Sequence, residues 1–95
     1  MLDPQIIFQN IECPNLRQQA KDLLEDIIQL SPSDAAVKAT FRFIQNHFLA
    51  DIKIASESVF MSSREQAAGL ADLLERVKSK LMGQIIDWRS HRFAS

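Results

Sequence analysis

The sequence predicts a two-layer α+β domain in the order β-α-β-β-β-α, a four-stranded sheet with both helices on one face. Three observations predict it. Residues 37–43 and 48–54 alternate apolar and polar side chains with the period of two that a half-buried strand requires. Residues 14–30 and 62–89 instead space their apolar side chains at three- and four-residue steps, the helical period. Short turn-forming clusters separate these segments, and no linker or low-complexity tract divides the 95 residues, so one domain spanning 1–95 is expected.

In chain order, Ile6, Ile7, Phe8 and Ile11 form a short apolar run between Pro4 and Pro14, which limits it to a strand within Gln5 to Cys13. A helix opens at Pro14-Asn15 and buries Leu16, Ala20, Leu23, Leu24, Ile27 and Leu30, leaving Asp22, Glu25, Asp26 and Gln29 to water. Ser31-Pro32-Ser33 stops it, because proline disfavours helical geometry in the residue before it. In the next strand Val37, Ala39, Phe41 and Phe43 point one way and Lys38, Thr40 and Arg42 the other. Asn46-His47 is the expected turn. From Phe48 the alternation resumes, with Ala50, Ile52 and Ile54 set against Asp51 and Lys53. Ser56-Glu57-Ser58 is a second turn, followed by a short strand from Val59 to Met61.

Ser62-Ser63-Arg64-Glu65 then has the form of a capping box, opening a long helix to about Arg89. Leu70, Leu74, Val77, Leu81, Ile85 and Trp88 form its core stripe, and Asp72 can pair with Arg76 one turn on. Gly69 and Gly83 would each cost this helix about 1 kcal/mol relative to alanine, a cost that close packing against the sheet or a bend would explain. The first strand-helix-strand unit is expected to be a crossover giving a parallel pair, and the remaining strands antiparallel hairpins.

Composition narrows the function. Apolar residues make up 46% of the chain, enough for a packed core. The lone cysteine, Cys13, excludes an internal disulfide, fits a reducing compartment, and reads as a small buried side chain. No basic leader and no apolar run of membrane-spanning length is visible, so a cytoplasmic protein is expected. His47 and His91 have no neighbouring carboxylate or thiol in triad or metal spacing, and two glycines cannot build a phosphate loop. Neither catalysis nor a metal, cofactor or small-molecule substrate is expected. The net charge of −1 hides an asymmetry: residues 1–34 carry two basic and six acidic side chains, residues 35–95 nine and six. One side should be acidic and another basic.

Four pieces of the chain, in the right order, resemble the ribosome hibernation-promoting factors, also called ribosome-associated translation inhibitors. Asn10-Ile11-Glu12 with Leu16-Arg17 resembles that family's first strand entering its first helix, and Ala36-Val37-Lys38-Ala39-Thr40-Phe41 its second strand. The serine-rich turns into Val59-Phe60-Met61 are similar to its short fourth strand. Leu70-Ala71-Asp72-Leu73-Leu74, then Val77 and Lys80-Leu81 through Gln84-Ile85, is similar to its second helix. The resemblance implies a non-catalytic stress-response factor that binds the small ribosomal subunit where messenger and transfer RNA would lie and stores idle ribosomes.

Recognition of that kind would rest on phosphate charge and RNA shape, with Lys and Arg replacing counterions. The candidates are Lys38, Arg42 and Lys53 on the sheet, with Arg76, Lys78, Lys80, Arg89 and Arg92 on the last helix. The chain departs from the family in its acidic first helix and sparsely basic end, Asp87-Trp88-Arg89-Ser90-His91-Arg92-Phe93, which implies weaker phosphate binding. The alternative is a diverged protein-interaction module of the same fold, a homodimer through Met82, Ile86 and Phe93, without RNA binding. A continuous basic outer sheet face favours the first reading. Exposed apolar residues there, with Ile44 and Phe60 the candidates, favour the second.

Overall fold

The alternation of residues 36–55 folds into a long antiparallel hairpin, with one strand added on each side. In a computed structural model that describes residues 4–93, and side chains to residue 90, the elements are β1 (Gln5–Gln9), α1 (Pro14–Leu30), β2 (Ala36–Ile44), β3 (His47–Ala55), β4 (Phe60–Ala67) and α2 (Leu70–Phe93). The sheet order is β1-β2-β3-β4, with β1 parallel to β2 and the other pairs antiparallel. This is the expected β-α-β-β-β-α architecture.

One face of the sheet is apolar and covered. Val37, Ala39, Phe41, Ala50, Ile52, Ile54, Met61 and Ala67 form a single core with Ala20, Leu23, Leu24 and Ile27 of α1 and Leu73, Val77, Leu81 and Ile85 of α2. Both helices therefore lie on the same side. Leu73 is fully buried while Leu74 and Trp88 are only half-buried, which turns the α2 stripe slightly from its expected line. At the centre Phe41 stacks on Phe8 with ring centroids 5.6 Å apart. Arg17 of α1 lies over the Phe8 ring, 5.2 Å from its centroid, and its Nε donates to the Ile11 carbonyl at 2.7 Å. That contact fixes the entry of α1 against the end of β1.

Local chemistry sets the ends of the elements. Pro14 occupies the first turn of α1, where a missing N–H costs nothing. Ser31 closes the helix by donating its hydroxyl to the Ile27 carbonyl at 2.8 Å. The β2-β3 turn is Gln45-Asn46, both with positive φ (52° and 63°), the geometry of a two-residue hairpin whose twist matches its strands. His47 is thus the first residue of β3 and not part of the turn.

The largest correction concerns residues 62–69. They do not open α2: β4 runs to Ala67 and pairs with β3 in unbroken register from Phe60↔Ala55 to Ala67↔Phe48. The polar composition of Ser62-Ser63-Arg64-Glu65 suits a cap, but continuing the strand through six more residues extends the ladder of backbone hydrogen bonds to β3, and the nine-residue β3 provides the template. Gly69 stands just before α2, where its carbonyl accepts the Leu73 N–H at 3.0 Å. Gly83 is inside the helix but faces open space, so close packing does not account for it. Cys13 is exposed and precedes α1, against the buried position expected of it.

Candidate nucleic-acid interface

The face of the sheet away from the helices is built by alternation alone. Every residue between two core residues on β2, β3 or β4 must point outward, and the strand register then arranges those residues in rows. Lys38 stands directly opposite Lys53, flanked by Gln5 and Ser62. The next row is Ile7, Thr40, Asp51 and Arg64, and the one after it Gln9, Arg42, Leu49 and Gln66. Among the described residues, four cations thus share these three rows with a single carboxylate.

That carboxylate is engaged: Arg64 Nη2 lies 3.0 Å from Asp51 Oδ2, with Arg64 itself 82% exposed. Lys38, Arg42 and Lys53 are exposed and have no ion-pair partner among the described residues. Like charges directly opposite on neighbouring strands destabilise a sheet by a few tenths of a kcal/mol. The Lys38–Lys53 pair is therefore a site where a bound anion would relieve repulsion. Arg42, Arg64, Thr40 and Asp51 line a shallow depression beside it.

The helical candidates do not join this patch. Arg76 pairs with Asp72 at 3.3 Å, and Lys80 lies 3.6 Å from Glu65, which β4 presents on the helix side. Lys78 lines a groove between the helices with Asp26, Gln29, Leu30 and Met82. Arg89 is exposed near the far end of α2, and the side chain of Arg92 lies outside the described residues. Being on the covered face, α2 cannot turn these cations toward the outer one. On that same side Asp22, Glu25 and Asp26 of α1 are exposed, so the helix layer carries exposed charges of both signs.

Apolar residues also break the outer face. Ile7, Ile44 and Phe60 are 42%, 41% and 62% exposed. On α2, Ile86 is 59% exposed and Met82 half-buried, while the Phe93 side chain lies outside the described residues. Sequence reasoning missed Arg64 as a face residue because it placed residue 64 in a helix cap. The alternation of Met61, Ser63, Glu65 and Ala67 against Ser62, Arg64 and Gln66 was the available signal, and the small or polar inward residues concealed it.

With this arrangement in hand, the comparison with solved structures is specific. The chain superposes on the N-terminal domain of Protein Y from Thermus thermophilus with a TM-score of 0.73, covering 88% of this chain and 94% of that one at 16% identity. The fold is the Protein Y fold. A ribosomal subunit interface protein from Coxiella burnetii shares it, with a TM-score of 0.72 at 12% identity, over 92% of this chain and 97% of that one. No protein-family profile and no curated relative matches the sequence. At these identities the likeness to the Protein Y domain is one of backbone architecture. Among the described residues no helix is long and apolar enough to cross a membrane, and no cluster of three or more His, Cys, Asp or Glu side chains could hold a metal.

Proposed function

We propose that this protein is a non-catalytic, cytoplasmic ribosome-associated factor that binds RNA of the small ribosomal subunit through its outer sheet face and holds idle ribosomes inactive. The observation that carries the reading is the set of exposed Lys38, Arg42 and Lys53, without ion-pair partners among the described residues, on one face of a Protein Y fold. One of the proteins that share the fold bears the name ribosomal subunit interface protein. Phosphate contacts of this kind position a protein on folded RNA without reading its sequence. Arg64 adds a fourth cation at the edge, tempered by Asp51. The cations on α2 contribute less, since Arg76 and Lys80 each have a carboxylate partner and lie on the opposite layer.

Co-sedimentation of the folded protein with purified small subunits across a salt series tests the proposal. Saturable binding that weakens steeply with salt is the expected result, and an absence of binding even at low salt would reject it.

A second reading is favoured by the exposure of Ile86 beside half-buried Met82. A homodimer through this side of α2 would cover them. Ile86→Asp would then convert a concentration-dependent dimer into a monomer, while a parent protein that sediments as a monomer at every concentration excludes the dimer.

A further inference from the structure

We propose that Ala36, Ala55 and Phe60, with the Lys38–Lys53 pair beside them, form a seat for one unpaired base of a single-stranded RNA segment and its phosphate. The inference rests on the RNA-binding reading above and specifies what part of an RNA the face would take.

The seat follows from the register. Phe60 is the most exposed of the large apolar side chains among the described residues, at 62%. An aromatic ring on a sheet gains stability from an aromatic or β-branched residue directly opposite on the adjacent strand. Here the residue opposite Phe60 is Ala55, and the residue opposite Ala55 is Ala36, both exposed. Neither side chain extends beyond Cβ, so the row is a low shelf with a ring standing at one end. A planar base is the RNA component that such a shelf accommodates, through stacking that is tolerant of base identity.

The shelf is also oriented. One row toward the centre of the sheet, about 7 Å along the strands, stand Lys38 and Lys53 with Ser62 completing the row. On the other side is the turn carrying Glu57, whose N–H donates to the carboxylate of Asp34 at 3.1 Å. Phosphate is drawn to the lysine side and repelled from the turn, so the base lies over the alanines and its phosphate over the lysines. The turn is well braced: the Ser56 hydroxyl accepts the N–H groups of Ser58 and Val59 at 3.2 and 3.1 Å, and the Ser56 N–H donates to the Val59 carbonyl at 2.9 Å. The backbone leading into Phe60 is thereby fixed before any ligand arrives. A duplex keeps its bases paired and stacked on one another and would leave the shelf empty.

The experiment compares a labelled eight-nucleotide oligoadenylate RNA, an abasic ribose-phosphate oligomer of equal length and an RNA hairpin, by fluorescence anisotropy with the full chain. Phe60→Ala, checked for an unchanged thermal transition, is expected to weaken oligoadenylate binding about tenfold while leaving the abasic oligomer unaffected. Phe60→Trp is expected to retain it. If Phe60→Ala leaves oligoadenylate binding unchanged while binding stays salt-sensitive, the seat is rejected and the phosphate contacts stand. If none of the three RNAs binds at low salt, both readings fall. If Phe60→Ala instead dissolves a dimer seen by sedimentation without changing affinity for RNA, Phe60 is a self-association residue and the seat is rejected.

Discussion

Gln84 of α2 holds Ser62 of β4 with both ends of its amide. Its Oε1 accepts the Ser62 N–H at 3.0 Å and its Nε2 donates to the Ser62 carbonyl at 2.7 Å. Those are the bonds another strand would make, so at this residue the helix stands in for a fifth strand. The contact blunts the free edge of β4 and fixes the height at which α2 crosses the sheet.

Gln84→Ala should therefore destabilise the domain by about 1–2 kcal/mol, since two half-buried backbone groups lose their partners. Gln84→Glu retains the acceptor but loses the donor and should also destabilise at neutral pH. Urea denaturation with unchanged slope checks both, and amide exchange at Ser62 should accelerate in Gln84→Ala, which removes the acceptor of that N–H.

Phe41 is fully buried and stacked on Phe8. Phe41→Asp would place an unpaired charge in the centre of the core, at a cost approaching the entire stability of a small domain. Loss of the cooperative thermal transition is expected, and a native-like transition would refute the placement of Phe41 as the core of the sheet.

Ser63 of β4 faces the core at 2% exposure, and its hydroxyl has no hydrogen-bond partner among the described residues. Ser63→Ala removes a buried polar group without leaving a large void, so stability should stay level or rise by up to about 1 kcal/mol. Thermal melts of the two proteins side by side decide it.

Gly83 lies inside α2 with helical geometry and nothing within 4 Å of an added Cβ. Gly83→Ala should stabilise by about 1 kcal/mol through helix propensity alone, read as a rise in the denaturation midpoint. A fall would show that α2 needs flexibility at that position.

Reversal of Lys38, Arg42 and Lys53 to Glu should leave the fold intact, because all three are exposed and have no ion-pair partner among the described residues. If the outer face binds RNA, affinity for small subunits should be lost. The single neutralisation Lys53→Gln should reduce the salt slope of log K by roughly 0.7–0.9, the contribution of one phosphate contact. Unchanged affinity in the triple variant would remove the sheet face from the interface.

The residues alone revealed the order of elements, the inner and outer faces of β2 and β3, and the grouping of Lys38, Arg42 and Lys53. Their alternation is continuous, and side-chain direction in a strand depends only on parity. The turn lies one residue earlier than the sequence predicts because Gln45 carries no strong signal for the positive φ it adopts. β4 extends past the strand the sequence predicts because Ser63 and Glu65 face inward without being apolar, which hides its period, and its extent is set by pairing with β3.

Tertiary structure likewise decided which charges act together. Register set Lys38 opposite Lys53 and brought Arg64 to Asp51, contacts between residues far apart in the chain. The position of α2 on the covered face separated Arg76, Lys78 and Lys80 from the sheet cations, which helical spacing within α2 could not foretell. A one-dimensional pattern specifies the face a side chain occupies within its own element, whereas its neighbours on that face depend on how separate elements pair and pack.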